Sequence, residues 1–279
     1  MGAALSTASL FLLPSLPSTV PTSLNLLLFT FTWYTLILTH PPLHVELLAS
    51  AFSRITFFLI PSLLSLVIDT VAPPLAEQAK ALGPRALPLN AAGSVAALAR
   101  VAAWTLGNAL FGLTVQAGIE TGLEKTGLRT ALNVGKTLPL PWDLARGVVW
   151  LLFIRSICQY TIHRFLLHPQ KATQLSKLHH SWAHSISAPF SLCAGYDHPL
   201  PYLLHTWATL YLPAALLHSH VLVYALALAL VSLEDAVAYS GTVSCRKSPQ
   251  DAPCSDAVKR PRILTCPSSA ISFPSPHLA

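Results

Sequence analysis

Long apolar runs joined by short polar connections limit what this chain can fold into. Residues 24–39 read LNLLLFTFTWYTLILT, residues 55–72 carry Asp69 as their only charge, and further apolar runs occupy 142–162, 200–217 and 221–233. Charged residues make up 10% of the chain and apolar residues 53%, whereas a soluble domain averages about 25% charged. The expected class is all-α: a polytopic membrane protein whose helices cross or line a bilayer. The first run is a little short of the about 20 residues that a hydrocarbon crossing needs, so tilt or preceding residues must extend it. His40-Pro41-Pro42 ends it, and Pro61 is expected to kink the second run. Residues 96–117 contain Arg100 and either span or lie in the interface. The last two runs read as a helical hairpin that dips into the bilayer and returns, with His218-Ser219-His220 at its turn.

Four regions follow. Residues 1–23 are rich in Ser, Thr and Pro, and Pro14, Pro17 and Pro21 make them a loose leader. Residues 24–142 hold the N-terminal membrane helices and their connections, and 143–241 form the region in which histidines gather. Residues 242–279, rich in Ser and Pro with a basic Lys259-Arg260-Pro261-Arg262 group, read as a disordered tail. The net charge of +6 comes from basic residues lying mostly between and after the apolar runs. That pattern suits an anionic membrane leaflet. No basic stripe interleaves with aromatics, so nucleic acid is not an expected partner. The five cysteines form no C-x-x-C pair and read as thiols facing a reducing cytosol.

The chemistry is concentrated between Tyr160 and His205, where seven of the twelve histidines fall: His163, His168, His179, His180, His184, His198 and His205. Neutral imidazole is the commonest protein ligand for zinc, copper and iron. In a helix, His180 and His184 share a face, while His179 points about 100° away from His180, so the three can serve two neighbouring ions. His163 and His168 lie about 140° apart on a regular helix. Pro169 disfavours helical geometry at His168. Either an unwound His168 swings toward a shared site, or each ring serves its own ion. His198, in Tyr196-Asp197-His198-Pro199, is expected to add a ligand from a loop, and Asp197 or Glu234 to orient a ligand ring by accepting its second N–H. His205 is left open between ligand and ordinary residue. His40, His44, His218, His220 and His277 read as ordinary polar residues. There is no H-E-x-x-H and no paired E-x-x-H, so neither a zinc hydrolase nor a carboxylate di-iron bundle is expected. Imidazoles beside a bilayer suit O₂ activation against an unactivated lipid C–H bond, which side-chain acids and bases cannot break.

These residues resemble the fatty acid hydroxylase/sterol desaturase superfamily of membrane oxygenases. His163-Arg164-Phe165-Leu166-Leu167-His168 is similar to its first histidine box and Lys177-Leu178-His179-His180-Ser181-Trp182 to its second. Ala188-Pro189-Phe190, Tyr196-Asp197-His198-Pro199 and Val231 to Gly241 resemble later segments. The resemblance implies a non-haem di-iron centre, with zinc as the alternative occupant, on the cytosolic side of a multi-pass endoplasmic reticulum protein. It implies a fatty acyl, sphingoid or sterol lipid as substrate and a cytochrome b5-type or reductase partner as electron donor. His163, His168, His179, His180 and His198 carry over as metal ligands, with His184 as an extra one. Two departures stand out. Ser176 occupies the place of the second box's first histidine. The family's third box, expected after Gly241, has no counterpart in a tail whose only histidine is His277. An inactive or truncated relative that acts as a membrane lipid-binding or scaffold protein is therefore the competing expectation.

Overall fold

The computed structural model describes residues 22–242, and within them every regular element is helical and no strand forms. Helix α1 covers Thr22–Thr39. After His40-Pro41, helix α2 runs Pro42–Val71, interrupted by one π turn at Ile55–Leu59. Pro61 has no N–H to give to the helix ladder, and the turn just before it absorbs the mismatch with an Ile60 N–H bond back to the Ile55 carbonyl. Short helices α3 (Pro73–Ala79) and α4 (Pro88–Ala92) lead to the long helix α5 (Val95–Lys125), whose first N–H groups are capped by Ser94. Helix α6 (Pro141–Thr161) passes into a second π turn, Ile162–Leu167. Helix α7 (Gln174–Trp182) follows, capped by Thr173. Then α8 (Pro199–Tyr202), a third π turn (Leu203–Trp207) and α9 (Ala208–Leu216) make the first arm of the hairpin, and α10 (Val221–Tyr239) the second. His218, Ser219 and His220 form its turn, with His218 at φ 47.

Three helices are long and apolar enough to cross a membrane: α2, α5 and α10. The chain is a multi-pass membrane protein. The run at 142–162 becomes α6, but Asp143, Arg146 and Arg155 interrupt its apolar character and it is not one of the three. The ambiguous run at 96–117 lies within α5, which is one. Helix α10 is central: half of its apolar window is buried, against 17% for α2 and 22% for α5. It packs on α2, α6 and the turn Ser191–Gly195. Its Tyr224, Ala227, Leu228 and Val231 join Leu151 of α6 and Leu210, Tyr211 and Ala214 of α9 in the main core.

Helices α2 and α5 are apolar outside and polar inside. Glu46, Ser50, Ser53, Ser62 and Asp69 of α2, and Thr105, Asn108, Gln116 and Glu120 of α5, are buried, while Leu48, Phe52, Leu63, Leu64, Val67, Leu106 and Leu110 are exposed. In lipid this inversion is favourable. Apolar side chains meet acyl chains, and polar groups satisfy one another inside the bundle. Gln116 Nε2 donates to Glu46 Oε1 at 2.6 Å and to Ser50 Oγ at 3.1 Å. Glu120 accepts from Tyr211 OH at 3.0 Å and from the Ala131 N–H at 3.1 Å. Near the start of the tail, Lys80 and Asp69 form a buried ion pair, and the Ala81 N–H donates to the Gly241 carbonyl at 3.0 Å. The leader and nearly all of the tail lie outside the described residues.

Candidate metal centre

The histidines gather where the end of α6, helix α7 and the first arm of the hairpin meet. The π turn after α6 settles how His163 and His168 relate. The His168 N–H bonds to the His163 carbonyl at 2.9 Å, an i to i+5 closure that brings residues five apart onto one side, as residues four apart are in an α-helix. Their ring centroids are 4.5 Å apart. His168 itself leaves the helix at φ −120, ψ 52, as expected of a residue before Pro169.

Helix α7 brings His179 and His180 beneath this turn. His179 is buried, and its ring centroid lies 5.5 Å from both His163 and His168. Its Nδ1 is 2.7 Å from Asp197 Oδ2. The carboxylate only accepts, so Nδ1 carries the proton and Nε2 keeps its lone pair. His180 Nδ1 is 2.8 Å from the Ser176 carbonyl, which fixes the same tautomer. His184, in the turn Ala183–Ser185, places Nε2 3.3 Å from His168 Nε2. Two nitrogens each about 2.1 Å from one ion stand roughly 3.0–3.4 Å apart, so this spacing fits a shared cation.

Two trios bring their ligand atoms within 4.8 Å of one another: His163, His168 and His179, and His168, His180 and His184. The first is sheltered. In the second, His180 and His184 are exposed. His163 Nδ1 and His179 Nε2 are buried with no hydrogen-bond partner. Burial, and then the charge that neighbouring rings would carry, hold His163 and His168 down to about 4, and lower His184 as well. These rings are neutral at physiological pH, the form that binds metal. Unpartnered buried lone pairs on neutral, mutually facing rings fit a metal ion better than they fit packed polar residues, which find partners.

The remaining residues proposed from sequence are placed differently. His198 belongs to neither trio. Its Nδ1 accepts from the Leu200 N–H at 3.3 Å, capping α8, and its ring lies 5.5 Å from Trp182. Asp197 takes the orienting role toward His179, and its Oδ1 also accepts from the His198 N–H at 2.7 Å. Glu234 bonds Arg155 at 3.3 Å rather than an imidazole. His205, left open by the sequence, stands 5.0 Å from His163 by ring centroid. Three positioning residues were not foreseen. Asn108 donates to the Gly195 and Asp197 carbonyls at 3.0 and 2.8 Å, and Thr105 donates to the Leu192 carbonyl at 2.8 Å, so α5 holds the loop that carries Asp197. The contact is close. A Cβ at Gly195 would meet Thr105 Cγ2 at 2.7 Å, so only glycine lets α5 approach. Asn108 could have been noticed as an amide within an apolar helix.

Residues 148–262 match the family model for fatty acid hydroxylase. Those residues form a fatty acid hydroxylase domain, of the fatty acid hydroxylase/sterol desaturase superfamily. The hydroxylase domain takes in α6 from Val148 onward, both histidine trios and the whole hairpin. It runs past Gly241 into residues that lie outside those described. No solved structure matches the chain.

Proposed function

We propose that the chain is a membrane oxidoreductase that holds two iron ions with histidines and uses O₂ to hydroxylate or desaturate a lipid. The substrate class is fatty acyl, sphingoid or sterol, electrons come from a cytochrome b5-type or reductase partner, and the location is the endoplasmic reticulum with the histidines toward the cytosol. The observation that carries this reading is the convergence of imidazoles from α6, α7 and the turn after it, with two buried lone pairs left without partners. His163 and His179 would hold one ion, and His180 and His184 the other, with His168, whose neutral ring has one free lone pair, serving one of the two. When bound, iron supplies the oxidising chemistry that an unactivated C–H bond demands and no side chain provides.

The chain's own residues prepare that site. Asp197 keeps the His179 proton on Nδ1 and aims Nε2 inward. The Ser176 carbonyl does the same for His180. Asn108 fixes the Asp197 backbone, so a membrane-crossing helix sets the position of a ligand's hydrogen-bond partner. The apolar outer faces of α2 and α5 suit a substrate that arrives through the bilayer. The exposed His180 and His184 leave that side of the cluster reachable by a soluble electron donor.

A second reading, a catalytically inactive relative that binds lipid or acts as a scaffold, is favoured by one feature. The outer trio offers only three rings, shares His168 with the inner one, and has two exposed members. Metal analysis of the purified full chain, together with mass spectrometry of lipids from membranes expressing it, separates the two. About two irons per chain and an oxidised lipid that vanishes in His179→Ala support the oxidoreductase. A metal-free chain with unchanged lipids supports the scaffold.

A further inference from the structure

We propose that His205 is a ligand of the inner metal position, completing a four-imidazole set with His163, His168 and His179. The inference rests on the metal-centre reading above. His205 sits in the π turn Leu203–Trp207, closed by the Ala208 N–H bonding back to the Leu203 carbonyl. π turns inside helices recur at functional sites, since the wider turn re-aims a side chain that a regular helix would point elsewhere. The inner position is thus flanked by two such turns, one carrying His163 and the other His205.

Coordination geometry gives the quantitative support. A ring bound through nitrogen lies with its centre roughly 3.2 Å from the ion, from a metal–nitrogen bond of about 2.1 Å and the ring's own radius. Two such rings are then roughly 4.5 Å apart when they bind at a right angle and roughly 6.4 Å apart when they bind on opposite sides. Five of the six ring pairs lie across that range, and the His205 nitrogens, outside both trios, would swing inward to reach the ion. His163 stands 4.5 Å from His168, 5.5 Å from His179 and 5.0 Å from His205, and His179 stands 5.5 Å from His168 and 6.4 Å from His205. The His205 ring makes no hydrogen bond among the described residues, and Thr209 donates to its backbone carbonyl. A trio leaves an ion short of the four ligands that a closed site takes, and His205 lies on the sheltered side of the cluster, where solvent is least able to supply the fourth. The inner position therefore holds its ion more tightly than the outer one, which keeps only His180 and His184 and faces solvent.

Cobalt(II) titration of the metal-stripped full chain in detergent tests this with spectra instead of turnover. The wild type should take its first equivalent with the strong visible bands of a four-coordinate nitrogen site. His205→Ala should weaken that equivalent by at least about tenfold, the scale already seen when a metal-bound histidine loses its hydrogen-bond partner, and should dim the bands. His205→Cys keeps a ligand at the position and should add a near-ultraviolet sulfur-to-cobalt charge-transfer band, which also guards against misfolding as the explanation of the alanine result. First-equivalent affinity and bands in His205→Ala equal to those of the wild type, or cobalt-loaded His205→Cys without the new band, would overturn the assignment while leaving the metal centre standing. A wild type that takes up no cobalt would overturn both.

Discussion

The two ends of the bundle both carry histidines, and they use them in opposite ways. At the far turn, His218 Nδ1 bonds the Ala131 carbonyl at 3.2 Å. His220 Nδ1 accepts from the Leu222 N–H at 3.2 Å to cap α10, and its ring rests 5.6 Å from Trp33. His220 Nε2 is buried without a partner, yet it faces no second imidazole in any trio. At the near end, His163, His168, His179, His180 and His184 turn their rings on one another, and Asp197 and the Ser176 carbonyl hold two of them in the ligand tautomer. A histidine at a helix end is therefore not informative by itself. What marks the near end is several rings facing one focus, two of them backed by a group that fixes their direction.

Four substitutions sharpen that contrast. His179→Ala removes the only ring among the described residues that is both buried and backed by a carboxylate, and is expected to abolish tight metal binding while His220→Ala keeps it; metal content per chain reads this directly. Asp197→Asn frees the His179 ring without deleting it, and should weaken metal binding about 10- to 100-fold, measured by competition with a chelator. Asn108→Ala removes two hydrogen bonds to buried carbonyls, and should lower stability by about 1–3 kcal/mol in thermal or denaturant unfolding, with a smaller loss of metal affinity than Asp197→Asn. His220→Ala removes a helix cap and should cost only about 1 kcal/mol, with no change in bound metal. If it stripped the metal as His179→Ala does, the contrast between the ends would fail.

Much of this was legible in the sequence, and the rest was hidden for identifiable reasons. The all-helical membrane class followed from apolar runs with few charges, and the hairpin with its turn at 218–220 lies where the pattern put it. The His180 and His184 pairing came from four-residue spacing. His163 and His168 looked divergent because regular helix geometry was assumed, and a π turn, which carries no plain sequence signature, brings them together. His198 looked like a loop ligand because it follows Asp197 and precedes Pro199, but the same context makes it a helix cap. Glu234 was offered as an orienting carboxylate, yet Arg155, 79 positions away, takes it. Parts of the inward polar stripe, Glu46-Ser50-Ser53, Thr105-Asn108 and Gln116-Glu120, recur at three- or four-residue intervals and were readable, though their partners across the bundle were not.

The most direct test of the centre itself is the transition-metal content of the purified wild-type chain beside His179→Ala and His220→Ala, measured by elemental mass spectrometry after removal of loosely bound ions. The convergent-imidazole account predicts at least one tightly held ion per chain in the wild type and in His220→Ala, and almost none in His179→Ala. Equal metal content in all three, or none in any, would contradict it.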